Sequence, residues 1–339
     1  RATKMEVIKM YEKVYSNPDV YKIFVPLPDN PLQNLNCFVV KCGKENLIID
    51  TGFNRPECEQ AIMEGLKELD VDINTTVLYL THLHSDHVGL AATIMPKDAK
   101  IYMSKVDYDY LMTSVTGTHW EDTDEAFLHH GFPADKLIEL HTKNPARAFQ
   151  VAGPFDAITL NDGDKFTVGD YEFTCIYVPG HTPGNTCLYY EKKNLMFLGD
   201  HVLFDITPNI TAWFGVKDSL NNYINSLKKI REFKMDTALP AHRNTKGMNV
   251  YDRIDQLLEH HKARLADTEK VVKMIPNSTA YEIAAYMKWQ MRGKNWEEFP
   301  ISQRWFAVGE TIAHLDYLEA KGIVKCDIDS EGVHRYTLI

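Results

Sequence analysis

THLHSDHVGL, residues 81–90, sets three histidines and one aspartate within six residues. The run before it, TTVLYL (75–80), is short, apolar and β-rich, so it delivers the chain into the cluster as a strand. If the chain stays extended past Leu80, His82 and His84 project to the same side, because strand side chains alternate with period two. Asp86 continues that row and His87 points off it. Two ligand pairs then diverge from one loop, His82 with His84 and Asp86 with His87. Neutral imidazole together with carboxylate suits zinc, iron or manganese better than thiophilic metals. A single histidine here would read as a polar loop residue; four ligand-type side chains at this spacing read as a metal site.

Outward from this loop the chain alternates strand and helix. YKIFVPL (21–27), LNCFVVKCG (35–43) and ENLIIDTG (45–52) read as strands, and PECEQAIMEGLKELD (56–70) as a helix with Ile62, Leu66 and Leu69 on one face. AKIYMS (99–104) is a further strand, so the layout is that of an α/β layered domain. Residues 105 to about 150 carry only short helical patterns and several aromatics, which fits a helical insertion, either a lid or a structural cap. Strand character returns over 157–203, with hairpin turns expected in KFTVGDYEF and YYEKKNLMF. DSLNNYINSLKKIREF and the run from Val250 to Ile275 are helices. After Pro276, STAYEIAAYMKW opens on a Ser/Thr cap, a longer helix ends at Gly322, and two strands flank an SEG turn. The expected organisation is a catalytic domain over 1–246, a connecting helix over 247–275 and a small winged-helix-like domain over 276–339.

Two metals need more than four ligands. His181 in VPGHTPGN, Asp200 in FLGDHVL and His242 in LPAHRN each follow a short apolar strand, with glycine or proline within two residues before them. Strand-end loops at one edge are where an α/β sheet places its site. His129–His130 and His260–His261 are adjacent pairs on helices; neither suits joint ligation, and both read as surface residues.

The series IIDTG (48–52), THLHSDH (81–87), PGHTPG (179–184), GDHVL (199–203) and PAHR (240–243) resembles the metallo-β-lactamase superfamily over roughly residues 20–270. That resemblance implies a four-layer αβ/βα sandwich with the metal site at one edge of two facing sheets. It implies His82, His84 and His181 on a first metal, Asp86, His87 and His242 on a second, and Asp200 bridging both. Asp50 matches an early aspartate that orients ligands rather than binding metal. Two divalent ions, zinc above iron or manganese, would lower the pKa of a trapped water so that hydroxide exists near neutrality, with Asp86 and Asp200 as the catalytic carboxylates. Thr182, beside His181, reads as a loop-fixing residue. His201 departs from the small residue that commonly follows the bridging aspartate; it reads either as a supporting residue near the metals or as a buried histidine.

Within the superfamily, the full ligand set resembles thioesterases of the glyoxalase II type, lactonases and nucleases. His87 speaks against penicillin-degrading members and His84 against flavodiiron oxygen reductases, while mononuclear iron dioxygenases share much of the motif. The connecting helix and terminal domain resemble the β-lactamase-like protein 2 group, some of whose members cleave single-stranded RNA. From 277 to 339 there are seven basic and nine acidic residues, and the would-be recognition helix carries Glu310, Asp316 and Glu319. Phosphate binding needs clustered Lys and Arg, so this domain reads as a packing or homodimerisation module. FDITPNITAWFG (204–215), with Tyr108, Tyr110 and Trp120, would either wall an apolar substrate pocket or pack the insertion onto the sandwich.

The bulk numbers agree with a hydrolase acting on a small-molecule substrate. The chain has 339 residues with 44% hydrophobic content, enough for a sizeable core, and a net charge of −10 that disfavours a general polyanion binder. Six cysteines without a CxxC pair read as reduced packing residues. No apolar run approaches the roughly 20 residues a membrane helix needs. The opening RATKMEVIKMYEKV is charged and amphipathic rather than a signal peptide, so a cytoplasmic location is expected.

Overall fold

A computed structural model describes residues 10–291 and 295–339, so most of the opening stretch, and Arg292 and Lys294 of the C-terminal charge count, lie outside the described residues. Strands β1 (Tyr11–Tyr15), β2 (Asp19–Pro26), β3 (Asn34–Cys42), β4 (Glu45–Ile49), β5 (Thr76–Leu80), β6 (Ile101–Ser104) and β7 (Ile158–Leu160) form a seven-stranded sheet in chain order. Pairing is antiparallel from β1 to β4 and parallel from β4 to β7. A second sheet holds β8 (Lys165–Val168), β9 (Tyr171–Tyr177), β10 (Thr186–Tyr190), β11 (Leu195–Gly199) and β12 (Thr237–Pro240) in the order β12-β11-β10-β9-β8. Only β11 and β12 pair parallel within it.

Side-chain alternation sorts each strand between two cores. Phe38, Val40, Leu47, Ile49 and Tyr79 meet Phe173, Leu188, Tyr190, Leu195 and Phe197 between the sheets. Their neighbours Val39, Ile48 and Leu78 point to the opposite face, where Cys58, Ile62 and Leu66 of α1 (Pro56–Glu68) cover them. Every residue of β5 is buried, as expected of a strand covered on both faces. Two short helices, α2 (Ser85–Val88) and α3 (Ala91–Ile94), complete that layer after β5.

The insertion forms α4 (Lys105–Thr116), α5 (His119–His129), α6 (Ala134–Lys143) and α7 (Pro145–Ala148). On the outer face of the second sheet, Ile176, Tyr189, Met196 and Leu198 pack against α8 (Ser219–Arg231) and α9 (Val250–Met274) through Leu220, Tyr223, Leu227, Ile254 and Leu257. The order of layers is therefore helix, sheet, sheet, helix.

The C-terminal unit comprises α10 (Ala280–Tyr286), α11 (Ile301–Ala320) and the antiparallel pair β13 (Val324–Ile328) and β14 (His334–Leu338). Thr279 begins α10 with a reciprocal cap: its hydroxyl accepts from Glu282 N–H, and the Glu282 carboxylate accepts from Thr279 N–H. This unit shares one apolar core with the insertion, since Phe127, Phe132, Leu137 and Leu140 pack among Ile283, Trp305, Val308 and Leu315. Phe127 stacks on Trp305 with ring centroids 4.8 Å apart. Gly131 sits so close to Thr279 that a Cβ would lie 2.4 Å from its hydroxyl oxygen. The surface reading of the paired histidines fails here. His261 is fully buried between Tyr223 and His314, because α9 is covered on both the sheet side and the C-terminal side. His130 is half-buried and bonded to the Tyr336 hydroxyl at 3.2 Å.

Candidate metal centre

Parallel strands leave the sheet edge pointing the same way, and the site collects at those ends. Asp50 follows β4, the histidine cluster follows β5, His181 follows β9, Asp200 follows β11 and His242 follows β12. The chain is extended only as far as His84, which caps α2; Ser85 then begins a helical turn. Asp86 therefore does not continue the row of His82 and His84 as alternation predicted. The turn instead swings Asp86 and His87 together toward His242, where Asp86 Oδ2 lies 3.3 Å from His242 Nε2.

Three sets of ligand atoms converge within 4.8 Å: His82, His84 and His181; His82, His87 and Asp200; and Asp86, His87 and His242. All seven residues picked from the sequence are included. Asp200 straddles the cluster. Its Oδ2 is 3.5 Å from His181 Nε2, while its Oδ1 lies 3.4 Å from His87 Nε2 and 3.3 Å from His242 Nε2.

Outer hydrogen bonds decide which nitrogen of each ring faces inward. Asn209 O accepts from His181 Nδ1–H at 2.7 Å, Asn34 O accepts from His242 Nδ1–H at 2.7 Å, and Asp50 Oδ2 accepts from His87 Nδ1–H at 2.7 Å. Thr81 Oγ1 donates to Asp50, so it accepts from His82 Nδ1–H at 3.0 Å. None of these outer acceptors has a hydrogen to give, so Nδ1 carries the hydrogen in each ring and Nε2 is the atom that faces the centre, open to a metal ion or, without one, to a proton. His82 Nε2 faces His84 Nδ1 at 3.1 Å, and His87 Nε2 faces His242 Nε2 at 3.3 Å. Ring nitrogens this close need a proton or a metal ion between them.

Charge points the same way. Burial, with help from the neighbouring imidazoles, drives His82 well below the usual histidine range and His84 to about 3, leaving both neutral. Burial opposes charge on His87 and His242 too, but Asp200 and its fellow carboxylates overcome it and lift His242 to about 10. Asp86 falls to about 2 and Asp200 well below the usual carboxylate range, burial being outweighed by His87 and His242. Two ionised carboxylates thus pull positive charge into the cluster. Asp86 Oδ2, His181 Nε2 and Asp200 Oδ1 are buried without a hydrogen-bond partner in the protein. Such orphaned atoms are costly in a folded interior and fit a divalent cation with nitrogen and oxygen donors.

Asp50 takes a place beside the cluster, not in it. It is buried and accepts from Thr81 N–H at 2.9 Å, from Thr81 Oγ1 at 2.8 Å and from His87, tying the end of β4 to the loop after β5. His201 belongs to none of the three ligand sets and does not line the cavity; its ring packs edge-on to Tyr223, 5.3 Å away. Three contributors escaped sequence reasoning. Asp107, buried at the start of α4, accepts from Leu83 N–H at 2.9 Å, Thr182 Oγ1 at 2.6 Å and Gly184 N–H at 2.5 Å. It ties together the two loops that carry His82, His84 and His181, and Thr182 fixes its loop through it. Burial pushes the Asp107 carboxyl up to about 6 against the pull of those donors. Asn209 supplies the carbonyl that holds His181. Trp213 stacks on the His84 ring at 5.6 Å and donates its Nε1–H to His181 O at 3.1 Å.

A cavity of about 1290 Å³ opens beside the cluster, reaching His84, Asp86, His181 and Asp200. Its lining includes Tyr110, Trp120, Phe127 and Phe149 of the insertion region, Trp213 and Phe214 of the loop after β11, and Trp289, Trp305 and Phe306 of the C-terminal unit. Tyr108 is not part of the wall; its hydroxyl is tied to Phe155 O at 2.7 Å. The volume exceeds the roughly 300–1,000 Å³ of an ordinary small-molecule pocket.

Comparison with known proteins agrees with this geometry. Residues 31–242 match the model of the metallo-beta-lactamase superfamily, and residues 296–339 match that of the metallo-beta-lactamase-like C-terminal domain. A beta-lactamase domain protein from Burkholderia ambifaria superposes with a TM-score of 0.81 at 24% identity, over 100% of this chain and 97% of that one. The beta-lactamase-like protein 2 homolog of Caenorhabditis elegans is 24% identical over 254 residues, 74% of this chain and 70% of its own. An atrochrysone carboxyl ACP thioesterase from Emericella nidulans is 24% identical over 216 residues, 64% of this chain and 53% of its own. The chain spans 62% of the length of a lactamase-like protein from the same fungus. With the ligand cluster at the sheet edge and the family match across more than half its length, this chain belongs to the metallo-β-lactamase superfamily.

Proposed function

We propose that the protein is a dinuclear metal-dependent hydrolase that cleaves a small ester-like bond, a thioester or a lactone. The observation that carries the reading is the placement of Asp200, whose two carboxylate oxygens face different histidine groups. In this reading His82, His84 and His181 hold a first ion, Asp86, His87 and His242 a second, and Asp200 joins them. Two divalent ions, zinc by donor chemistry, would supply a hydroxide near neutral pH and steady the negative charge on the attacked carbonyl oxygen. The chain's own part is to lock each imidazole tautomer, to keep Asp86 and Asp200 ionised, and to hold the substrate. The aromatic walls suit an apolar acyl group, and the Emericella nidulans thioesterase among the relatives supports a thioester. The helix–helix–hairpin at the C-terminus is read as a winged-helix-like unit whose role is to wall the cavity, not to bind nucleic acid.

Metal quantification on the purified protein, followed by a screen of thioesters, lactones and phosphodiesters on the same preparation, tests this reading. Two zinc ions per chain with thioester or lactone turnover is the expected result. One iron per chain with oxygen consumption, or phosphodiester cleavage alone, would overturn it.

A further inference from the structure

Four imidazoles in the cluster have their outer nitrogens tied down, and three of the ties lie within the sandwich: Thr81 for His82, Asp50 for His87 and Asn34 for His242. The fourth is different. His181 is held by the carbonyl of Asn209, in the loop that follows β11, and that loop rests on the C-terminal unit. The Asn209 side chain donates through Nδ2 to Glu310 Oε2 at 3.0 Å and to Phe306 O at 3.4 Å, both on α11. Ala212 N–H donates to Gly309 O at 3.2 Å, and a Cβ on Gly309 would lie 2.2 Å from Thr211 Oγ1, so loop and helix are in close contact. Glu310 is only 7% exposed, and its other oxygen faces Arg264 Nε of α9 at 3.5 Å. A buried carboxylate is unfavourable unless paired and hydrogen-bonded, and both partners here serve the loop or its support.

We infer that Glu310 is a positioning residue for the metal cluster, acting through Asn209 to aim His181, so that the C-terminal unit is a working part of the first ligand group. The inference rests on the two-metal reading of the site. It also accounts for a buried acid in the middle of α11. Glu310→Gln keeps an oxygen to accept from Asn209, whereas Glu310→Ala removes it; Asn209→Ala cuts the same tie from the half-buried loop side.

The test is a zinc titration of the full-length protein against a chromophoric chelator, with melting temperatures of the metal-free proteins measured in parallel. Glu310→Ala and Asn209→Ala are each expected to weaken one of the two zinc equivalents by about 10- to 100-fold, the usual range for residues that orient a ligand. The double variant should lose no more than either single one, and Glu310→Gln should stay near wild type. Wild-type affinity at both sites in Asn209→Ala, a change made from the half-buried loop side, would overturn the positioning role even if Glu310→Ala failed to fold. Equal weakening of both sites together with a lowered melting temperature would also overturn it, as a merely structural effect. A wild-type protein that takes up no zinc would overturn the metal reading itself, a result separable from the others.

Discussion

His87 and His242 are held from the seven-stranded sheet, by Asp50 at the end of β4 and by the Asn34 carbonyl at the start of β3. On the other side of the cluster, His84 and His181 lean on Trp213 and Asn209, in a loop braced by α11. One half of the site is therefore complete once the sandwich forms. The other half also needs the C-terminal unit. A metal cluster that looks symmetric in its ligands is asymmetric in its supports, and the two halves should respond differently to damage.

Asp200→Ala removes the group shared by both halves and should do the most harm. Turnover is expected to fall by more than the roughly 10²–10³-fold that loss of one charge-stabilising donor costs, with both metal equivalents weakened. Retention of either equivalent at wild-type affinity would separate the halves more sharply than the geometry implies. Trp305→Ala strips the ring that stacks on Phe127 and joins insertion to C-terminal unit. It should cost about 3–5 kcal/mol in denaturation. Metal loss confined to the group containing His181 would uphold the asymmetry, and loss from both would break it.

Asp50→Asn probes the opposite support. The amide leaves one acceptor oxygen where the carboxylate serves Thr81 N–H, the Thr81 hydroxyl and His87. Affinity at the Asp86–His87–His242 group should drop about 10- to 100-fold in a chelator titration, with the other group less affected. Asp316 gives the smallest effect. It lines the cavity, and burial with Glu319 and Asp218 nearby raises its carboxyl to about 7. A carboxyl raised on folding favours the protonated native state, so this contribution is intact below the unfolded pKa near 4 and is lost as pH rises to 7. Asp316→Asn should therefore be more stable than wild type at pH 8, on the order of 1 kcal/mol because the group keeps solvent contact, and lose that advantage at pH 4. Thermal melts at the two pH values decide it.

The asymmetry also marks what was legible in the sequence. The seven candidate ligands announce themselves because metal chemistry restricts residue type and strand ends restrict position. Asp50 and Thr182 came with the same motifs. Asp107, Asn209 and Trp213 did not, because each acts on residues far off in the chain, 28 away for Asn209 and His181 and 77 for Asp107 and Gly184, and such contacts leave no spacing to read. Asp107 looks like any polar residue opening a helix, and Glu310 like a solvated one. The same blindness hid the turn at Ser85, whose short helix carries no period of its own, and the burial of His261, which depends on what α9 packs against. The long helices and the strands from β2 on were largely legible from their patterns, but β1, at the end of a charged amphipathic opening, was not, nor was the common core of insertion and C-terminal unit, since each half reads as an amphipathic fragment.

The parallel pairs described above have one more consequence. Asp50 and the loop of His82 ride on neighbouring strands aligned Ile49 to Tyr79, and Asp200 and His242 on neighbours aligned Gly199 to Pro240. Because a strand advances about 3.3 Å per residue, slipping either pair by one position would shift a ligand by more than a metal–ligand bond length. The reach between the groups of candidate ligands is thus a matter of strand registration. The backbone ladder serves as the gauge that sets it, before any side chain adjusts.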